Sequence, residues 1–258
     1  MQIPLDILIF GGQSNMQGQT EAPPIPNEPV AEAFEYRYLT DSLTPLQHPV
    51  GEQIGNSLLL GADKGHGSML PDFCRAYCKA TDHRVIAIHA ARCGTTLSEW
   101  LPGTARYEAS VKKILAGINK CKATGPVNKI YYIWLQGESD AIARTSTEAY
   151  MQMLTAYKND LKHTVGIDKF CLIEVGYFSG TVTWLKDRTL EEGIAFDEAI
   201  MRAQESLPSK DNDFVLLTQI CKTLSRDRIH INPYAQGHYN NSAMAIIGKE
   251  AGKALALL

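Results

Sequence analysis

With 258 residues, 25 basic and 28 acidic side chains and a formal net charge of -3, the chain can bury one substantial core and carries no basic block that would track a phosphate backbone. The composition argues against nucleic acid as a partner, and no stretch asks for a membrane. Six cysteines (Cys74, Cys78, Cys93, Cys121, Cys171, Cys221) are scattered along the chain, which favours reduced, mostly buried thiols over a disulfide framework.

The first segment, 2–10, has no basic lead region, holds Asp6 inside its apolar run and passes straight into Gly11-Gly12. It reads as a buried strand over 5–10, not as a signal peptide or a membrane span, so a cytoplasmic location is expected. From 21 to 67 the chain is crowded by Pro23, Pro24, Pro26, Pro29, Pro45 and Pro49 without a long periodic pattern, and is expected to run over the surface as a long excursion. A helix is predicted over 69–80; in it Cys74 and Cys78 lie one turn apart with no histidine pair, which argues against zinc. A strand at 85–90, a helix at 107–122 and a strand at 130–135 follow. A helix at 148–162 comes next, with Thr145 and Glu148 spaced as a capping box. Beyond it lie a strand at 170–175, a helix at 194–205 and a strand at 214–219. The last helix is predicted over 234–257, with Asn232-Pro233 suited to open it. Strands alternating with helices imply a parallel sheet wrapped by helices, and with no repeat or linker a single domain over 1–258 is expected.

In an open parallel sheet ligands gather at the carboxyl ends of the strands, where helix N-termini also present partial positive charge. The first predicted strand runs into Gly11-Gly12-Gln13-Ser14-Asn15-Met16, the second into Arg92-Cys93-Gly94-Thr95-Thr96, and the third into Gln136-Gly137-Glu138-Ser139-Asp140; the fifth is followed by Asp227-Arg228-Ile229-His230. A serine after a strand is ordinarily a turn or cap residue, and a lone histidine ordinarily structural. Asp227 three residues before His230 changes that balance, because such spacing lets a carboxylate hold one ring nitrogen while the other faces a nucleophile.

These four blocks, with Trp134-Leu135 leading the third, resemble those of the SGNH hydrolase superfamily, and in detail its branch of sialic acid O-acetylesterases and acetylxylan esterases. They occur in family order over nearly the whole chain, from Gly11 to Gly237. The resemblance implies a three-layer α/β/α sandwich with a five-stranded parallel sheet of flavodoxin-like form. It implies Ser14 as nucleophile, His230 as general base and Asp227 as the acid that orients it. The oxyanion hole would comprise the Ser14 N–H, the Gly94 N–H and the Gln136 side-chain amide. Gln13, Asn15, Thr95, Glu138 and Trp100 are supporting or pocket candidates. Cys93 departs from the branch, which has a second glycine there.

The implied reaction removes an O-acetyl group from a small carbohydrate of sialic acid or xylo-oligosaccharide type through an acyl-enzyme, with no metal or organic cofactor. Alternatives are an esterase or thioesterase for other short acyl esters, and a silent carbohydrate-binding protein of the same fold. A glycosidase rests only on the carboxylates Glu138 and Asp140, for which loop fixing is the favoured reading. His89 is read as a buried structural histidine. No coiled-coil pattern demands a partner chain.

Overall fold

Leu5–Gly12 forms β1, and all eight of its residues are buried. A strand covered by helices on both sides needs apolar side chains at consecutive positions, which this run supplies. In the computed structural model, which describes residues 3–258, β1 lies at the centre of a seven-stranded sheet; Met1 and Gln2, the latter part of the N-terminal apolar segment, lie outside the described residues. The order is β3-β2-β4-β1-β5-β6-β7, with β2 at Ala33–Arg37, β3 at Ser42–Pro45, β4 at Arg84–Ala91, β5 at Val127–Leu135, β6 at Lys169–Ile173 and β7 at Phe214–Thr218. Every neighbouring pair is parallel except β2 with β3.

The helices are α1 (Ser14–Gln17), α2 (Leu70–Thr81), α3 (Ala105–Lys122), α4 (Glu138–Ile142), α5 (Thr147–Thr164), α6 (Leu190–Lys210), α7 (Ile220–Leu224) and α8 (Asn241–Leu255). Because side chains alternate along a strand, adjacent residues of β1 report on the two layers. Phe10 meets Phe73 of α2 edge to face at 5.2 Å, and α2 packs against α8. On the other side of the sheet, Gly11 faces the Tyr132 hydroxyl, which pairs with that of Tyr157 in α5 at 2.6 Å; Phe170 stacks on Tyr132 at 5.1 Å. The result is an α/β fold with helices on both faces of a mostly parallel sheet.

All five expected strands are present, but the sheet has seven, because the proline-rich excursion contributes β2 and β3. That segment shows no long periodic pattern, and β2 carries Glu35 and Arg37, which pair at 2.9 Å with the Glu35 side chain fully buried. The edge strand β3 ends on Pro45, where a missing N–H disturbs no further ladder. Two helix starts also differ from expectation. Ser146, not Thr145, caps α5 by accepting from the Ala149 N–H, while Thr145 donates to Asp140 at 3.2 Å. Asn240, not Asn232, caps α8 through the Ala243 N–H. Asn232 instead closes a local turn onto Tyr234 and donates to Gln19 O at 2.8 Å, so 231–240 is a loop and not helix.

Gly12 is where β1 must turn sharply toward the site. Its φ is +140°, and a Cβ there would stand 2.0 Å from Leu135 O, the atom that accepts the Gln13 N–H. Gly12→Ala is therefore expected to lower stability by about 3 kcal/mol, read as a lower urea midpoint with an unchanged slope. A wild-type midpoint would show that this backbone is free to shift.

Candidate active site

The order of the sheet creates the site. The chain leaves β1 toward β2 and β4 on one side and adds β5, β6 and β7 on the other, so the carboxyl end of β1 is a switch point with a crevice beyond it. Gly12 is in register with Ala91 of β4 and with Leu135 of β5, which brings the three following loops side by side. Gly12 O accepts from Arg92 N at 3.0 Å and Leu135 O from Gln13 N at 3.1 Å, so the loops are joined at their roots.

Ser14 opens the single turn of α1 and is 3 % exposed. The first N–H groups of a helix lack intrahelical acceptors, and the Ser14 N–H makes no backbone hydrogen bond among the described residues. The same holds for the Gly94 N–H. Gly94 adopts φ +65° in an exposed turn with open space where a side chain would be, and so can approach a substrate closely. Its turn is fixed from α1 by Gln17, whose Oε1 accepts the Cys93 N–H at 2.8 Å. Cys93, the departure from two glycines, is half-buried beside Arg92.

Gln136 does not occupy the role expected for it. Its side chain is fully buried, and its Nε2 donates both to Thr95 O at 2.9 Å and to Asp140 Oδ2 at 2.6 Å. With both N–H groups engaged, it offers none to an oxyanion in this arrangement; it ties the loop after β4 to the loop after β5. The Tyr150 hydroxyl donates to Gln136 O, with its own oxygen 3.1 Å from Gln136 Oε1, and Gln204 donates to the same carbonyl, which locks the strut from behind. Trp100 is likewise corrected from pocket wall to core: it is fully buried, donates to Thr95 Oγ1 and packs edge to face on Trp134 at 5.5 Å. Thr95, 1 % exposed, is part of that same support.

Gln13 and Asn15 flank Ser14 and bind neighbouring loops. Gln13 Oε1 accepts from Ser139 N at 3.1 Å. Asn15 Nδ2 donates to Glu138 Oε1 at 2.8 Å and lies 3.5 Å from Gly237 O, while its Oδ1 accepts from Tyr239 N at 3.3 Å. Those last two contacts hold the loop that carries His230. His230 ends a 3₁₀ turn over Arg228–His230, and its carbonyl accepts from Asn240 N at 3.0 Å.

The expected bond from Asp227 to His230 is not formed. Asp227 is exposed, and its Oδ1 accepts the Ile229 N–H at 3.1 Å, capping the 3₁₀ turn. His230 Nδ1 is buried without a hydrogen-bond partner. The competing cap explains where the carboxylate goes, and the unpaired Nδ1 is a position that an orienting acceptor would satisfy. No hydrogen bond joins Ser14 to His230 among the described residues.

His89 is buried, lies 3.3 Å from Gln17 O through Nε2, and is pushed down to about 3 by burial; it is structural, as expected. All six cysteines are free thiols, and no group of three or more His, Cys, Asp or Glu residues forms a metal cage among the described residues. Tyr150, Gln204 and Gln17 were not legible as site support, since single polar residues in helices carry no motif.

Solved structures with the same fold include a protein from Arabidopsis thaliana (TM-score 0.65, 16 % identity, 97 % of each chain covered). They also include a carbohydrate acetylesterase from Xanthomonas citri (TM-score 0.55, 14 % identity, 96 % of this chain and 55 % of that one). A third is an acetylxylan esterase from Geobacillus stearothermophilus (TM-score 0.52, 12 % identity, 97 % and 94 %). In sequence, the same plant protein, described as a probable carbohydrate esterase, is 28 % identical over 237 residues, covering 84 % of this chain and 85 % of that one. The model of the family described as carbohydrate esterase, sialic acid-specific acetylesterase, matches residues 4–245. The chain belongs to this family of carboxylic ester hydrolases.

Burial raises the Glu138 carboxyl above its ordinary range, opposed by the Asn15 amide, and its Oε2 has no partner. A raised folded-state value means that folding favours the protonated form. This contribution is whole below the ordinary carboxylate range and is lost as pH rises through the folded-state value. Glu138→Gln keeps an acceptor for Asn15 and is expected to match wild type near about pH 4 and to exceed it in stability at about pH 8. Denaturation midpoints across that interval check it; a constant difference would contradict the assignment.

Proposed function

We propose that the protein is a serine-dependent O-acetylesterase that deacetylates a sugar through an acyl-enzyme. The observation that carries this reading is the convergence at one sheet end of three features. These are Ser14 with a free N–H, the open turn at Gly94 with another, and the His230 loop held over α1 by Asn15.

The chemistry follows from those parts. Ser14 Oγ attacks the ester carbonyl while His230 takes its proton, and the two backbone N–H groups stabilise the negative charge that develops on the carbonyl oxygen. One such donor is worth about 3 kcal/mol in the transition state. His230 then returns the proton to the departing sugar hydroxyl, and water deacylates the serine with the same base. Asp227 supports the imidazolium if it leaves the Ile229 N–H for Nδ1. Gln136 acts indirectly, by holding Thr95 and with it the Gly94 turn.

The family match supports acetylated carbohydrate as the substrate class, with acetylated sialic acid and acetylated xylo-oligosaccharides as the first candidates. Wild-type protein is expected to release acetate from 4-nitrophenyl acetate and from at least one of those sugars. Ser14→Ala is expected to lose about 10⁴-fold or more in kcat while keeping its denaturation midpoint. Release from the nitrophenyl ester alone would favour an esterase for other short acyl groups, and sugar binding with no release from any ester would favour a silent binding protein. Normal turnover by Ser14→Ala would place the nucleophile elsewhere.

A further inference from the structure

Behind the His230 loop lies a cavity of about 850 Å³ that contains neither Ser14 nor Gly94 among its lining residues. It is formed by the loop after β6, the first turns of α6, and the segments on either side of His230. One wall is the loop that carries the proposed base; of its lining residues, Gly237 accepts from the Asn15 amide at 3.5 Å and Asn232 donates to Gln19 O at 2.8 Å. The volume falls within the roughly 300–1,000 Å³ of sites that take whole small molecules, far more than an acetyl group fills.

The lining has a one-sided chemistry. It includes Arg226 and Arg228 and no aspartate or glutamate. The Arg226 guanidinium lies 4.5 Å from the centroid of the Tyr177 ring and donates to the Tyr177 hydroxyl at 2.5 Å, which leaves further N–H groups for a ligand. Neither arginine makes an ion pair among the described residues, whereas Arg37, Arg75, Arg84, Arg106, Arg144, Arg188 and Arg202 all do. Gln236 accepts from Thr183 through Oε1, so its amide N–H₂ remains available to a hydroxyl. Trp184 and Tyr234, the chain neighbours of the lining residues Thr183 and Pro233, are 54 % and 84 % exposed. Exposed aromatic faces beside polar donors suit the apolar faces and hydroxyls of a pyranose, and guanidinium groups without carboxylate partners suit a planar or tetrahedral anion.

We propose that this cavity is a second saccharide subsite that holds a carboxylate- or phosphate-bearing sugar unit attached to the acetylated one. The proposal rests on the reading of Ser14 and His230 as the hydrolytic site and adds the class of substrate: an acidic oligosaccharide, anchored by a unit other than the one deacetylated. Binding energy gathered there would orient the ester without touching the reacting atoms.

The test uses ligands that carry no ester, so its outcome is separable from esterase activity. Calorimetric titration at low salt would compare α-1,4-linked trigalacturonate, glucose 6-phosphate and neutral xylotriose on wild type and on the double variant Arg226→Gln, Arg228→Gln. Turnover of 4-nitrophenyl acetate by both proteins would be measured in parallel. At least one anionic probe is expected to bind more tightly than xylotriose and to lose about tenfold or more in affinity in the double variant, with nitrophenyl ester turnover unchanged. Which anion binds more tightly identifies carboxylate or phosphate. The proposal is overturned if no anionic probe binds, if xylotriose binds as well, or if the double variant retains the anion; nitrophenyl ester turnover in the same samples reports on the hydrolytic reading independently.

Discussion

The site depends on the amide of Asn15. This side chain is 1 % exposed and joins α1 to Glu138 after β5 and to Gly237 and Tyr239 in the loop bearing His230, partners more than a hundred positions away in sequence. Its orientation is fixed by its surroundings: a carboxyl oxygen and a carbonyl face the nitrogen, and a backbone N–H faces the oxygen, so the amide satisfies them in one way only. Each bond contributes about 1 kcal/mol net, which is modest for stability. Their geometric effect is larger under the proposed function, because an acyl-transfer site tolerates little displacement between nucleophile and base.

Glu138 is the corollary of that arrangement. A carboxyl buried beneath the site with one donor and no cation has no role as a freely ionised acid, and burial favours its protonated form. It serves as the acceptor that sets Asn15. Gln136 and Asp140 behave alike one step further round: their mutual bond, the Leu97 N–H on Asp140 and the Thr95 carbonyl on Gln136 make a rigid floor beneath the Gly94 turn. The block Gln136-Gly137-Glu138-Ser139-Asp140 is thus a scaffold more than a set of reacting groups, and under the proposed function the donors left for an oxyanion are backbone N–H groups.

Much of this was legible in the sequence because the central strands are buried on both faces and read as unbroken apolar runs, and because three of the four polar blocks stand directly beyond strand ends, the fourth following β7 after the short helix α7. What was not legible has physical reasons. Strand β2 hides a buried Glu35, paired with a half-buried Arg37, in a segment crowded with prolines, so its charge masked its place in the sheet. Asn232 and Thr145 had the chemistry of helix caps, but other partners engaged them instead: the distant Gln19 carbonyl for Asn232 and the nearby Asp140 carboxylate for Thr145. Gln136 was recognisable as part of the site, but whether its two N–H groups face substrate or protein is decided by Thr95 and Asp140, which no local pattern reveals. Asp227 shows the same limit: its spacing from His230 permits the orienting bond, and the Ile229 N–H competes for it.

The central claim, that Ser14 is the nucleophile served by a base on the Asn15-tethered loop, is tested most directly by covalent trapping. Reaction of the intact protein with a fluorophosphonate, followed by peptide mapping by mass spectrometry, should give one adduct, on Ser14. An adduct on another side chain, or no adduct from a protein that still hydrolyses 4-nitrophenyl acetate, would contradict it.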